Sequence, residues 1–314
     1  MKRLAAGLVG LFLLAWPVAL HAAEPLQVLK GRIIRALAVH PAQPERILVG
    51  NKGKQAGSGK VFESRDGGRS WTTLNQGKAL DPMAADVQAV AYGPGEAVLA
   101  GTWKRGLFIS RDGGTNFENI EDFPESDIRD LLVVPGEPNR IYAATGRRGV
   151  IASDDGGLTW QVQGPDKTFL WSLARSEEAL FAASPNGGLF ESRDRGATWS
   201  SAFTDEGAYA ALAVGDRILL AGETGLHERA AEGDWRKLPV LDGVKLSSLL
   251  RGNHQNVLVG AWGGGVTVLS SSGEAIEQLL PKIPVLHVRR AGPRLLVGSW
   301  GKGLYIFPER FGGS

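Results

Sequence analysis

Ser110–Phe117 reads SRDGGTNF, and close variants stand at Ser64–Trp71 (SRDGGRSW), Ser153–Trp160 (SDDGGLTW) and Ser192–Trp199 (SRDRGATW). The paired glycines reach backbone regions closed to other residues, and Asp112 stands where a short carboxylate accepts N–H groups of its own turn. The aromatic at the eighth position, Phe117 here and Trp71, Trp160 and Trp199 in the others, opens a strand and can pack back over the turn. Every residue of the box thus has a local task. Asp66, Asp112, Asp155 and Asp194 are expected to hold structure rather than a ligand or a metal.

Working outward, Leu107–Ser110 (LFIS) precedes the turn, the loop Thr102–Gly106 (TWKRG) precedes that, and Ala97–Gly101 (AVLAG) and Asp86–Tyr92 (DVQAVAY) come earlier still. With Phe117–Ile120 after the turn, this makes four strands in a meander. The order persists where the box has decayed. Innermost strand signals recur at Ile34–Val39, Val87–Tyr92, Ile128–Val133, Leu170–Arg175, Tyr209–Val214, Leu246–Arg251 and Val285–Arg290. Each is followed by a partner such as ILVG (Ile47–Gly50), VLAG (Val98–Gly101) or LLVG (Leu295–Gly298). Seven units of about 41 residues each predict an all-β, seven-bladed propeller of four-stranded antiparallel blades.

The ends bear on closure. After Leu304–Phe307 the seventh unit lacks a fourth strand, while Leu26–Leu29 (LQVL) precedes the first unit with no sheet of its own. Pairing the two closes the ring and leaves no edge at the seam. Residues 1–23 stand apart: Lys2 and Arg3 precede an apolar run from Leu4 to Leu20, followed by Ala22 and Ala23, which reads as a secretory signal peptide before a propeller over residues 24–314; a membrane anchor is the competing reading, weakened by Pro17 and the short span. Its loss leaves 33 Lys and Arg against 33 Asp and Glu, so nucleic acid is not indicated as a partner. The chain has no Cys, which excludes disulfides, thiolate metal sites and a cysteine nucleophile. The expected location is the periplasm or another extracytoplasmic space, with no membrane span after the leader.

The four boxes resemble the Asp-box (BNR-like) repeat S-x-D-x-G-x-T-W of sialidases and sortilin-type receptors. The wider pattern, a strand ending in Gly, a short loop and then G-[LV]-[FI]-x-S-x-D, is most similar to the exported propellers related to the photosystem II assembly factor. That resemblance implies a non-catalytic partner in the assembly of a membrane complex, with an arginine-rich patch. The sialidase resemblance implies three arginines on a carboxylate, a Tyr nucleophile with a Glu partner and an Asp acid. Here Arg32-Ile33-Ile34 lacks the Pro of the sialidase Arg-Ile-Pro element, and Tyr209, although near Glu206, occupies the column of Ile34 and Val87 and so reads as core. Asp127 and Asp130 need not converge, because alternate side chains of a strand point to opposite faces. No histidine constellation occurs; His287 replaces small residues of its column (Ala36, Ala89, Ser172, Ala211, Ser248) and is expected in the central channel.

Packing fixes the core of a repeat, so variation between repeats marks the surface left free. The loops between second and third strands vary in a directed way, with Lys52, Trp103, Lys104, Arg105, Arg147, Arg148, Trp262, Trp300 and Lys302. The innermost strands begin on the same rim and add Arg35, Gln88, Arg129 and Trp171 in one column. This basic, Trp-containing rim is the expected binding surface, for a protein segment or membrane-complex subunit or for an anionic glycan or polymer, without cofactor or metal. A glycan-cleaving hydrolase and a structural or sensing subunit of an envelope complex are the competing readings. The box turns lie on the opposite rim.

Overall fold

In the computed structural model, which describes residues 24–55, 58–81, 86–230 and 233–308, runs such as ILVG and VLAG are second strands whose closing glycine lies beneath the next sheet. A Cβ on Gly50 would come within 2.7 Å of Val87 Cγ1, and one on Gly101 within 2.5 Å of Ile128 Cγ2. The repeat ends in Gly because the first residue of the next innermost strand occupies that space. Both faces of a sheet are covered in this way, so its strands read as continuous apolar runs rather than alternating ones.

Seven sheets of four antiparallel strands result. Their innermost strands are Ile33–Val39, Val87–Tyr92, Ile128–Val134, Ser172–Arg175, Ala208–Val214, Leu246–Arg251 and Val285–Ala291. The described residues form seven apolar clusters, each at the interface of two neighbouring blades. Between blades 2 and 3, for example, Leu99, Leu107 and Ile109 meet Ile128, Ile141 and Ile151. The fold therefore has a core in series. Each fully buried Ile or Leu contributes roughly 1.5–3 kcal/mol through the apolar area it removes from water.

Leu26–Val28 forms the outer strand of the seventh blade, with Leu26 opposite Ile306 and Val28 opposite Leu304. Blade 7 also packs against blade 1 through Ile34, Phe62, Leu296 and Ile306. The ring is thus closed by the beginning of the propeller sequence meeting its last described strand. Residues 1–23, read above as a leader, and the residues after Pro308 lie outside the described residues.

Each box turn closes on itself. In the first, Ser64 Oγ accepts the N–H of Gly68 at 2.7 Å and donates to Asp66 Oδ1, which in turn accepts the N–H of Ser70 at 2.9 Å. Trp71 folds back and donates its indole N–H to the Gly68 carbonyl at 3.0 Å. The same serine and aspartate bonds recur at Ser110 and Asp112, Ser153 and Asp155, and Ser192 and Asp194. The second glycine is required twice over: Gly68 has φ +92°, and a Cβ there would lie 2.1 Å from Ile306 Cδ1. By the antiparallel order, box turns share an end of the blades with the first hairpins, as when Gly67 N–H donates to the Glu45 carbonyl. The other end carries the variable loops and the starts of the innermost strands.

Candidate functional site

The loop-side mouth of the channel is built by a repeated irregularity. Every innermost strand except that of blade 4 breaks register at its second or third residue: between Ile34 and Ala36, Val87 and Ala89, Ile128 and Asp130, Ala208 and Ala210, Leu246 and Ser248, and Val285 and His287. The residues skipped are Arg35, Gln88, Arg129, Tyr209, Ser247 and Leu286. In blade 4 the strand begins late and Trp171 takes the equivalent place. A bulge leaves one residue out of the ladder and re-aims its side chain, and all seven of these line the cavity at the mouth. Its volume is about 80 Å³.

This placement corrects the column given to Tyr209, which is buried as expected. Ala208, fully buried, stands in the column of Ile34 and Val87, and Tyr209 falls with Arg35 one step along. The small residue facing His287 in blade 5 is likewise Ala210, not Ala211, and Asp130 occupies the same level. Tyr209 does not meet Glu206. Its hydroxyl donates to Glu223, whose carboxylate also receives Lys245 at 2.9 Å. Burial and the Glu223 bond raise the Tyr209 pKa, which keeps the phenol neutral. Glu206 pairs instead with His227 at 3.0 Å and Thr224.

An aromatic arc runs around the mouth. Trp171 and Trp262 have ring centroids 6.2 Å apart, as have Trp262 and Trp300. Cations cover the arc: Arg35 lies 5.0 Å and Lys52 5.6 Å from the Trp300 ring, Arg129 lies 5.9 Å from Trp171, and Lys245 lies 5.7 Å from Trp262. Phe169 extends it, with Arg129 4.9 Å above its ring. Arg129 also donates to Asp127 at 2.7 Å, so Asp127 and Asp130 do not converge; Asp130 accepts the N–H groups of Leu131 and Leu173 deeper in the channel. Asp86 is buried beside Lys52 (3.7 Å) and Gln88 (3.2 Å), and its burial raises its pKa against the pull of Lys52 and Arg35.

His287 lines the channel as its column suggested. Its Nε2–H donates to the Arg35 carbonyl at 2.7 Å, and burial, with Arg289 nearby, lowers its pKa to about 3. That bond fixes the tautomer and leaves Nδ1 as an acceptor.

The remaining rim residues form a second group. Lys104, Arg105, Arg147 and Arg148 line an open groove of about 760 Å³ between blades 2 and 3, with Lys167 opposite. Arg105 pairs with Asp81 at 2.8 Å, and Arg147 reaches the buried Glu125 at 3.3 Å. Despite its burial, Glu125 is held below the usual carboxylate pKa by Arg147 and the N–H groups of Ser126 and Asp127. Trp103 stands apart from the arc, 40% exposed under the Lys104 ammonium. Lys302 is exposed, and its carbonyl accepts from Gln27 of the closing strand. Sequence reasoning did not find Phe169, Lys245, Asp86 or Arg289. The first two lie in connections that no repeat constrains. Among the described residues no group of three or more His, Asp or Glu could hold a metal.

The class is thus a seven-bladed propeller with a bulge-lined, cation–aromatic mouth and a basic lateral groove. No family model and no curated protein sequence matches the chain. Solved structures similar to it include YCF48 from Cyanidioschyzon merolae, 14% identical with TM-score 0.71 over 91% of this chain and 99% of that one. YCF48 bound to D1 peptide is 15% identical, with TM-score 0.70 over 91% and 94% of the two chains. An ancestral GH74 enzyme is 18% identical with TM-score 0.68 over 90% of this chain, which spans 45% of the enzyme. At these identities the likeness is one of fold.

Proposed function

We propose that this chain is an exported, non-catalytic propeller that binds a protein segment on its loop side, as an assembly factor for a membrane complex. The observation that carries the reading is the arc of Trp171, Trp262 and Trp300 under Arg35, Lys52, Arg129 and Lys245. Indoles and guanidinium groups supply most of the energy at protein interfaces, because they present large rigid surfaces that lose little entropy when covered. The groove of Lys104, Arg105, Arg147 and Arg148 continues the surface outward and would steer an acidic segment from a distance. The likeness in fold to a propeller bound to a peptide supports the same use of the fold. Extracytoplasmic location follows from the leader reading. Among the described residues no helix is long and apolar enough to cross a membrane.

The test is site-specific photocrosslinking in intact envelope. Lys302 is exposed on the loop side and Leu158 is 64% exposed in a box turn, so both accept a crosslinking residue without disturbing the core. A discrete adduct from position 302 and none from 158 is the expected result. The reverse pattern would move the binding face to the box side.

A further inference from the structure

Five of the eight buried side-chain polar atoms without a hydrogen-bond partner among the described residues gather at one place, the mouth: Arg35 Nε, Arg129 Nε, Trp262 Nε1, Asp86 Oδ1 and Asp127 Oδ1. Arg129 and the two aspartates have partners through their other atoms. Arg35 does not. Its guanidinium lies against the Trp300 indole, lines the cavity and donates to no acceptor of the described residues. Burial, with Arg129 adding to it, lowers its pKa against the pull of Asp86, yet a guanidinium stays charged in a protein. A largely buried cation whose Nε–H has no acceptor is costly unless something brings an acceptor to the guanidinium.

The charges around it define what that is. Arg129 answers Asp127, Lys52 answers Asp86, and Arg289 faces Asp130. The charge left over is that of Arg35, a single positive charge. The cavity of about 80 Å³ has room for a small planar group and its stem. The guanidinium fork matches a carboxylate edge to edge, and Trp262 lines the same cavity. Trp171 and Trp262, which line the cavity, offer an apolar wall to the stem.

We propose that the mouth is a carboxylate-binding pocket, in which the Arg35 guanidinium holds one carboxylate and the Trp171 and Trp262 side chains border its flat or apolar stem. This deepens the binding reading above and rests on it only for the choice of face. The carboxylate can come from a free small acid or from an acidic group on a docked segment.

The experiment is a titration of the full chain followed by the indole N–H resonances in ¹H–¹⁵N NMR, with the Trp262 signal assigned by Trp262→Phe. Benzoate, acetate and inorganic phosphate are the probes, at fixed ionic strength. Benzoate is expected to shift the Trp262 signal saturably and more tightly than acetate, with phosphate at least tenfold weaker. Arg35→Lys keeps the charge and removes the fork, and should weaken benzoate about tenfold while leaving the denaturation midpoint near that of the parent. No saturable shift, equal binding of phosphate, or an unchanged benzoate curve in Arg35→Lys would each overturn the proposal. Asp86→Asn tests the internal alternative: if Asp86 is the true acceptor of Arg35, this change alone creates benzoate binding where the parent has none, which also overturns it. An amide-capped peptide with one glutamate identifies the source: competition with benzoate assigns the pocket to a docked segment, and its absence assigns it to free acids. Because no native partner is used, failed crosslinking with intact benzoate binding would remove the assembly reading and leave the pocket.

Discussion

The two ends of the blades treat their polar groups in opposite ways. At the box end Ser153 Oγ accepts the Gly157 N–H and donates to Asp155, which accepts the Thr159 N–H, so that the turn consumes its own donors and acceptors. At the mouth, Arg35 and Trp262 keep donors for which the chain supplies no acceptor. A surface that has satisfied itself has little to give a partner except shape. One that has not can gain more from a ligand than from water.

Changes that both ends share should be the most severe. Ile128 is fully buried between blades 2 and 3 against the Gly101 backbone, and Ile128→Ala is expected to cost about 2–5 kcal/mol in urea denaturation. If the mouth lost binding while global stability stayed unchanged, the series-core description would be wrong. Next in size is Trp300→Ala, which should weaken partner binding by roughly 1–4 kcal/mol with little change in salt slope. Reversal of Arg105 and Arg148 to Glu should weaken it in a salt-dependent way, because exposed charges act through a screened field. Equal salt slopes for the two variants would erase the distinction between arc and groove. Ser153→Ala probes the other end: it strands the buried Gly157 N–H and should cost about 1–3 kcal/mol of stability without altering affinity.

Acid should separate the two ends along the pH axis. His287 stays neutral in the fold down to about pH 3, whereas the unfolded chain takes up its proton near 6.5, so its contribution falls away as pH drops from about 6.5 toward 3. Asp112, held by the Asn116 N–H, and Asp194, held by Thr198, have pKa values of about 2, and their contribution is lost only from about pH 4 down to 2. Asp130, whose burial raises its pKa, acts in the opposite sense, with stability lost as pH rises. The difference between parent and His287→Gln denaturation curves isolates the first limb. A variant with the same acid profile as the parent would remove His287 from the account. The smallest effect is expected at Leu158, where an exposed side chain in a self-satisfied turn is replaced by Ser within about 0.5 kcal/mol.

Much of this was legible in the sequence, for a reason visible at Gly50 and Gly101. Blade packing demands the same small residue at the same place in successive repeats, and such a demand is written plainly even where the box turn has decayed. The seam was legible because Leu26–Val28 had no other sheet to join. The column of Arg35, Gln88, Arg129 and Trp171 could be read from alignment of the repeats, but the bulge that makes it a column could not. Tyr209 was therefore placed one residue out of step. The separation of Trp103 from Trp262 and Trp300 was also hidden, since equivalent loops of blades 2, 6 and 7 look alike in sequence while standing at different distances around a ring. Phe169 and Lys245 sit in connections of unequal length, where no internal copy exists for comparison.

The bulges also bear on how such a surface can change. Each bulged position sits in its own blade, outside the ladder, and hands one side chain to a common centre. Seven separate codons, at positions 35, 88, 129, 171, 209, 247 and 286, therefore set the chemistry of the mouth, and six of them, all but that of Trp171, stand outside the pairing that holds a blade together. Drift at these codons can exchange one ligand for another while the scaffold stays constant, and a library randomised at these seven alone would sample new specificities without searching for a new fold.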